Sequence, residues 1–423
     1  KMPTNVTCRT IHSIAYSHTP KDVIGRLKGP KLEMKWLVSH LKIKEINVYS
    51  DKLKKNAVVN QFRIVAWVNR TLSKYMNSSA TDLELNHVYI DADYSLYEFS
   101  TAHKIQILKY AKDLWNYYCN SNCTITHDFY LKTFSLSNIN VGYDIIMVDE
   151  SQDVNGSMVN ILKSQTTSQL IYVGDKFQKI YSFTGTIDIT KNNNAETLYL
   201  TKSFRFGSGI AKLANSWLQK IEPGCGTLYG TDSETTFKSD KNPNVVICRT
   251  NANVIKKYIE YTTKDKLLNI NISCEIEPLL KFAQALYDLE KTNTSAHMLL
   301  KHFTSIDVFY KFIEANGDMF DTDIVRIAKL CKEIGANTII KRFSKYGECT
   351  HPDILITTAH KAKGLEWDTV QLGDDFNVEE IKSKSTEVNM PHTPQYNKEE
   401  LRLFYVAITR TKKCLLGYDQ YKS

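Results

Sequence analysis

The sequence predicts an α/β chain with two parallel-sheet cores, each interrupted by a largely helical insertion. Three observations carry this. An apolar run, Ile145–Val148, ends abruptly in the carboxylates Asp149 and Glu150. Strand-like apolar runs then alternate with helical periods from residue 141 to 249, and again from 354 to 417. Before and between these regions, over 20–120 and 266–346, the apolar spacing is mostly helical. Alternation of this kind calls for right-handed βαβ units and parallel strands.

Composition sets the frame. At 423 residues, 42% hydrophobic and 24% charged, the chain has room for two domains with separate cores. A net charge of +8 and a pI near 8.8 lean towards a polyanionic partner. No apolar run approaches the roughly 18 residues of a membrane span, and residues 1–6 lack the apolar core of a signal peptide, so no membrane partner is expected. Nine cysteines without a C-x-x-C pair read as reduced intracellular thiols.

Taken in order, residues 6–16 read as a strand leading into a short helix. Helical periodicity follows over 53–76 and 97–118 within an insertion spanning 21–120. Ile145–Val148 is continuously apolar, as in a strand buried on both faces of a parallel sheet. The carboxyl end of such a strand is where open α/β sheets bind ligands. Of two acids there, one can hold Mg²⁺ and the other can orient and deprotonate a water. A helix over 157–163, strands over 169–174 and 197–200, a helix over 208–221 and a strand over 245–249 continue the alternation. Helices over 278–289 and 322–334 form the second insertion. Strands over 354–357, 369–372 and 414–417, with a helix over 398–409, complete the second core. The predicted division is 1–20 with 121–196, insertion 21–120, then 197–265 with 347–423, insertion 266–346.

Four further stretches carry chemistry. In GDKFQKIYSFTG (174–185), Gln178 can reach a terminal phosphate, and Tyr181 and Phe183 offer flat faces for stacking bases. LTKSFRFG (200–207) sets Phe204 and Arg205 beside a strand. TTAHKAKGLEW (357–367) gathers Thr358, His360, Gly364 and Glu366 after another strand. LFYVAITRTKK (403–413) carries Arg410 on a helix.

In this order the motifs resemble those of the UvrD/Rep branch of superfamily 1 helicases. Residues 149–153 look like motif II, 174–185 like motif III, 203–206 like motif IV, 358–367 like motif V and 406–410 like motif VI. Residues 7–15 are similar to the T-x-H-S element that follows motif Ia. LTKSFRFG, RTNANV (249–254) and TAHKAKGLE (358–366), with Asp374-Asp375-Phe376 soon after, resemble the helicase region of the F-box DNA helicases.

The resemblance implies two RecA-like cores of the P-loop NTPase type and an ATP-dependent DNA helicase or translocase moving 3′-to-5′. ATP and Mg²⁺ are the implied cofactors. Single-stranded DNA and single-to-double-strand junctions are the implied partners, with repair or recombination in a nucleus as the implied setting. Asp149 would hold Mg²⁺ through water, Glu150 would activate the attacking water, and Gln178 would sense the γ-phosphate. Arg205 and Arg410 would neutralise charge on the transferred phosphoryl group, a task suited to a planar, permanently charged fork. Phe204 would stack on adenine and Glu366 would accept a ribose hydroxyl, with Gln152, Asp153 and Gly364 completing the nucleotide contacts. Thr10, His12, Tyr181, Phe183, Thr358 and His360 would touch the DNA strand.

Two departures qualify the pattern. No G-x-x-x-x-G-K-[ST] occurs; GRLKGPK (25–31) has the wrong spacing, and Pro30 removes an N–H. The family's phosphate loop precedes the T-x-H-S element, which begins here almost at residue 1. The expectation is therefore a first core incomplete at its N-terminus, in a chain that by itself hydrolyses ATP hardly at all. Thr184 stands where the family usually carries arginine. The rival expectation is an ATPase-deficient DNA-binding or regulatory protein of helicase descent.

Overall fold

The computed structural model describes residues 3–30, 32–51, 55–91, 94, 97–181, 185, 189, 195–297, 299–300, 303–316, 322–380 and 396–421. Contacts divide the chain into two compact units, Lys1–Ala195 and Glu196–Ser423.

In the first unit residues 3–6 make a turn closed by the Val6 N–H to Pro3 O at 3.1 Å, no strand forms over the described part of 6–10, and the first regular element is the helix Ile11–His18. The stretch before Met76 is not wholly helical. Strands β1 (Ile46–Ser50) and β2 (Lys55–Val59) form an antiparallel hairpin, with Ile46 opposite Val59 and Val48 opposite Ala57. The run Ala57-Val58-Val59 supplies β-branched residues suited to a pleated surface, and tertiary pairing overrides the helical spacing that continues from it. Along β1, Ile46, Val48 and Ser50 point inwards while Asn47 and Tyr49 face out, the period of two expected of a half-buried strand.

The helix Gln61–Met76 starts where Asn60 accepts a hydrogen bond from the Arg63 N–H, and Thr101–Asn120 starts where Ser100 does the same for His103. Their apolar stripes, including Ile64, Trp67, Val68 and Leu72 against Ile107, Ala111 and Leu114, close one core with Val48 and Phe129. Full burial of each such aliphatic chain stabilises by roughly 1.5–3 kcal/mol.

Strands β3 (Ile145–Val148) and β4 (Gln169–Tyr172) pair in parallel, Ile145 with Gln169 and Val148 with Tyr172. The expectation that β3 is buried on both faces does not hold. Ile145 is 52% and Met147 71% exposed, whereas Val148 is buried. Among the described residues β3 has β4 alone as a strand partner, so the face bearing Ile145 and Met147 stays open.

Residues 77–80 join this pair to the helical part of the unit. The Gly156 N–H donates to Asn77 O at 2.8 Å, Ser157 Oγ to Ser78 O at 3.0 Å and Asn160 Nδ2 to Ser79 O at 2.7 Å. Lys132, fully buried on the helix His127–Ser137, donates to Ser78 O at 2.9 Å and Ala80 O at 2.6 Å. Its ammonium also lies 4.4 Å from the Tyr75 ring centre. Burial pushes its pKa down to about 8.

In the second unit β5 (Lys202–Gly207) pairs in parallel with β6 (Tyr229–Thr231). The strand expected over 197–200 is therefore displaced along the chain; Leu198, Tyr199 and Leu200 are at least 81% exposed. Two glycines fix the shift. A Cβ on Gly230 would collide with the backbone of Gly207 and Phe206, and one on Gly207 with Ser233 O, so β5 meets β6 and the residues after it only where these side chains are absent.

The main sheet contains β7 (Val245–Cys248), β8 (Ile270–Ser273), β9 (Ile354–Thr358), β10 (Trp367–Leu372) and β11 (Thr411–Leu416). Its order is β11-β10-β7-β9-β8 and every pair is parallel. Central β7 is buried along its whole length, as its VVIC sequence requires. The helices Glu277–Thr292, Ile306–Asn316, Thr322–Ile334 and Ala336–Phe343 share a core with β7 and β9 through Leu279, Phe282, Phe309 and Ile339. On the other flank Phe404, from Lys398–Ile408, meets Trp217 from Ser208–Ile221 edge-on at 4.9 Å.

Two outcomes follow from the 77–80 junction. Gly156→Ala would drive its Cβ into the Ser78–Ser79 backbone, and urea unfolding should show a loss of about 1–3 kcal/mol; unchanged stability would contradict this contact. For Lys132, the unfolded side chain holds its proton up to about pH 10.5 while the folded one releases it near 8. Its contribution therefore rises with pH across that window and is lost as pH falls through 8. Thermal melts of wild type and Lys132→Met between pH 7.5 and 9.5 should differ in slope, with the variant flatter.

Candidate functional site

The first unit's acids sit on a turn at the tip of β3. Glu150 has φ 49° and ψ 41°, a left-handed conformation that costs a non-glycine residue about 1 kcal/mol or more. Asp149 Oδ1 steadies the turn by accepting from the Glu150 N–H at 2.9 Å. Gln152 Nε2 donates to Glu150 Oε2, and Gln152 Oε1 accepts from the Asp175 N–H at 3.1 Å. Asp175 Oδ1 in turn accepts from the Phe177 N–H, and its Oδ2 from Gln178 Nε2, both at 2.9 Å. A continuous chain thus runs from Glu150 through Gln152 and Asp175 to Gln178.

Gly174 makes this possible, since a Cβ there would run into Gln152 Oε1 and lie 2.6 Å from Ser151 Oγ. The strand tips are also tied directly, by Ser151 N–H to Val173 O at 2.9 Å. Tyr181 lies beside the same acids: burial first, then Asp153 and Glu150, push its pKa up. The structure so brings together Asp149, Glu150, Gln152, Asp153, Gln178 and Tyr181. Phe183 and Thr184 lie outside the described residues.

Thr10 and His12 belong to a different place. They line an open cavity of about 470 Å³ with Ser13, Tyr16, His127 and Tyr130. Thr10 Oγ1 caps the helix Ile11–His18 by accepting from the Ser13 N–H at 3.1 Å. The Tyr130 hydroxyl lies 3.3 Å from His12 Nδ1 and 3.2 Å from His127 Nδ1. Burial lowers the His12 pKa, His127 adds to that, and Asp128 opposes it. His127 and Tyr130 escaped the sequence reading; a histidine and a tyrosine at i and i+3 opening a helix are the signal that was there to find.

In the second unit Phe204 projects from β5 with 81% of its surface exposed, and the Lys202 ammonium lies 5.6 Å from its ring centre. Arg205 Nε donates to Glu366 Oε2 at 2.7 Å, and its Nη1 to Thr409 O at 3.3 Å. Lys412 Nζ holds the other Glu366 oxygen at 2.7 Å. Hydrogen bonds from Lys412 and Arg205 pull the Glu366 pKa down to about 2. Arg410 is almost wholly buried, its Nε donating to Val406 O at 3.1 Å and its Nη1 to Leu365 O at 3.3 Å. It thereby ties the end of the helix Lys398–Ile408 to the turn at Gly364, whose φ of +81° favours glycine.

Arg205, Gly364, Glu366 and Arg410 form one connected group. Thr358, buried, and His360, partly buried, stand at the end of β9, which β7 separates from β10. Between them, Asp375 accepts from the N–H groups of Arg249 and Thr250 at 2.8 Å, while Arg249 clasps Glu400 from Nε and Nη2 at 2.6–2.9 Å. This clasp holds RTNANV and Asp374-Asp375-Phe376, two of the stretches singled out in the sequence.

Residues 28–417 match the family described as the UvrD-like helicase C-terminal domain. The chain is 28% identical over 452 aligned residues to F-box DNA helicase protein 1 of Schizosaccharomyces pombe, covering 99% of this chain and 50% of that protein. It is 29% identical over 450 residues to F-box DNA helicase 1 of Gallus gallus, covering 98% of this chain and 42% of the relative. A shorter similarity, 35% over 85 residues and 18% of this chain, links it to a probable DNA helicase II homolog of Mycoplasma capricolum. The chain spans about half the length of the first two curated relatives.

The Glu366 clamp has a spectroscopic signature. Its carboxyl ¹³C resonance should titrate near pH 2, and Lys412→Met should move that midpoint up towards the usual carboxylate range. A wild-type midpoint already in that range would mean that the two cations do not hold it. Since the folded pKa is depressed, the clamp's contribution is present above the ordinary carboxylate range and lost as pH falls through about 2.

Proposed function

From the premise that the chain belongs to the UvrD-like helicase family, we propose that it forms the motor part of an ATP-dependent DNA helicase. The observation that carries this reading is the chain of hydrogen bonds from Glu150 through Gln152 and Asp175 to Gln178 at a parallel strand's tip. Such an arrangement can couple a base that handles water to an amide that senses a phosphate.

The donor set suits Mg²⁺. No cluster of three or more His, Cys, Asp or Glu able to hold a metal exists among the described residues. Mg²⁺ is ordinarily held by one or two carboxylates with waters and phosphate oxygens, which Asp149 satisfies. When bound, Mg–ATP supplies the phosphoryl bond to be broken. Glu150, fixed by the Gln152 amide, takes the proton of the attacking water. Asp149, whose Oδ1 accepts from the Glu150 N–H, would hold the cation through water. Gln178, held by Asp175, would sense the terminal phosphate. Phe204 offers the open ring for adenine. Arg205 and Arg410 supply guanidinium charge, and Arg205 is the more accessible of the two.

DNA contact is assigned to Thr10, His12, Tyr181, Thr358 and His360, and 3′-to-5′ travel on a single strand belongs to the same reading. So does the division into two cores, with 21–120 and 266–346 as insertions. A phosphate loop does not occur within the 423 residues, so ATP turnover by these residues alone should be barely measurable.

The test is unwinding of a 3′-tailed duplex by the protein at the full length its gene encodes. Glu150→Gln should abolish unwinding and ATP turnover while nucleotide binding persists. Turnover that survives this change would remove Glu150 from its role. DNA binding with no ATP turnover in the full-length wild type would replace the helicase with a DNA-binding regulator.

A further inference from the structure

We infer that the cavity formed by Thr10, His12, Ser13, Tyr16, His127 and Tyr130 receives one nucleobase of a single DNA strand, its edge read by the two histidines and its face by Tyr16. The inference deepens the DNA-binding reading above and rests on it.

The Tyr130 hydroxyl lies within hydrogen-bonding distance of both imidazoles through their Nδ1 atoms. A phenol has one proton, so it donates to at most one of them. The other imidazole must carry its proton on Nδ1 and, when neutral, presents a bare Nε2 as an acceptor. Neither Nε2 has a protein partner among the described residues. The slot therefore presents an acceptor among its donors.

A phosphate only accepts, and it is usually met by lysine or arginine. None lines this cavity, and the nearby Arg9 is occupied with Ser13 and Ser17. A base edge, by contrast, carries donors and acceptors side by side. The depressed pKa of His12 is consistent with a neutral pocket.

The aromatic half of the site points the same way. Tyr16 is 47% exposed yet braced edge-on by Tyr130 at 5.9 Å. Its ring is thus oriented while a face remains open to stacking. Tyr130 itself is buried among Ala15, Leu131, Phe134 and Ile161, so the hydroxyl that orders the two histidines has a fixed position.

The experiment is fluorescence anisotropy of labelled oligo(dT), and of the same strand carrying abasic sites, with wild type, Tyr16→Ala, His127→Ala and Tyr130→Phe. Melting curves check that each variant is folded; Tyr16 and His127 are exposed, and Tyr130→Phe keeps the buried ring. Tyr16→Ala and His127→Ala should weaken oligo(dT) binding about fivefold or more, in the range of a lost base stack. Tyr130→Phe should weaken it less. The dependence of affinity on salt should not change, because no phosphate contact is removed. On the abasic strand, wild type and variants should bind alike.

Variants that bind oligo(dT) as wild type does would overturn this inference alone. Variants that lose the abasic strand equally, with a shallower salt dependence, would show a phosphate site and overturn it as well. A wild type that binds no single strand would overturn both this inference and the reading beneath it.

Discussion

One carboxamide holds the first unit's chemistry in place. Gln152 donates to Glu150 and accepts from the backbone of Asp175, so it spans the tips of two neighbouring parallel strands. Without that bridge, Glu150 would sit on a left-handed turn with less to define it, and Asp175 would lose the contact that sets its own hold on Gln178. The constraint is geometric before it is electrostatic. Strand tips lie about 5 Å apart, which an amide can cross with one donor and one acceptor, whereas a carboxylate would set two like charges against each other. Gly174 is the matching concession in the backbone, because any side chain there would displace the amide.

The same loop continues into a mechanical junction. Two residues past Asp153, Asn155 bonds Asn77 through Nδ2 at 2.6 Å, and Gly156 and Ser157 grip residues 77–78. Lys132 closes the far side with two carbonyl bonds. A shift of the acid turn therefore acts on the end of the helix Gln61–Met76 through hydrogen bonds whose donors and acceptors are largely withdrawn from water. Buried polar networks of this sort are costly to break piecemeal, which suits a connection that moves as a body.

In the second unit the charges satisfy one another. Arg205 and Lys412 share Glu366, Arg249 clasps Glu400, and Arg410 spends its donors on carbonyls and the Thr409 hydroxyl. Arg410 thus has a structural task evident from its burial, joining a helix end to the turn at Gly364. Arg205 is paired but partly open, so an incoming anion would compete with Glu366 for it. A half-exposed pair is weak enough for such an exchange.

Much of this was legible from residue order. Strands near 245–249 and 354–357 were expected and are β7 and β9, the helices Ser208–Ile221 and Thr322–Ile334 fell within the bounds their periodicity set, and the acids were read as following a strand. These features are local: a period, a cap or a run of side chains is written in consecutive residues. Partnership is not. Whether β3 is covered, whether strand pairing begins at residue 197 or 202, and whether 55–59 joins a hairpin depend on what a distant segment brings alongside. The meeting of His12, His127 and Tyr130 is the clearest case, since 118 residues separate the first from the last. Sequence by itself determined the chemistry available and the elements bearing it. The tertiary structure alone decided which groups share a proton, a charge or a cavity, because those energies depend on distances through space that the order of residues does not contain.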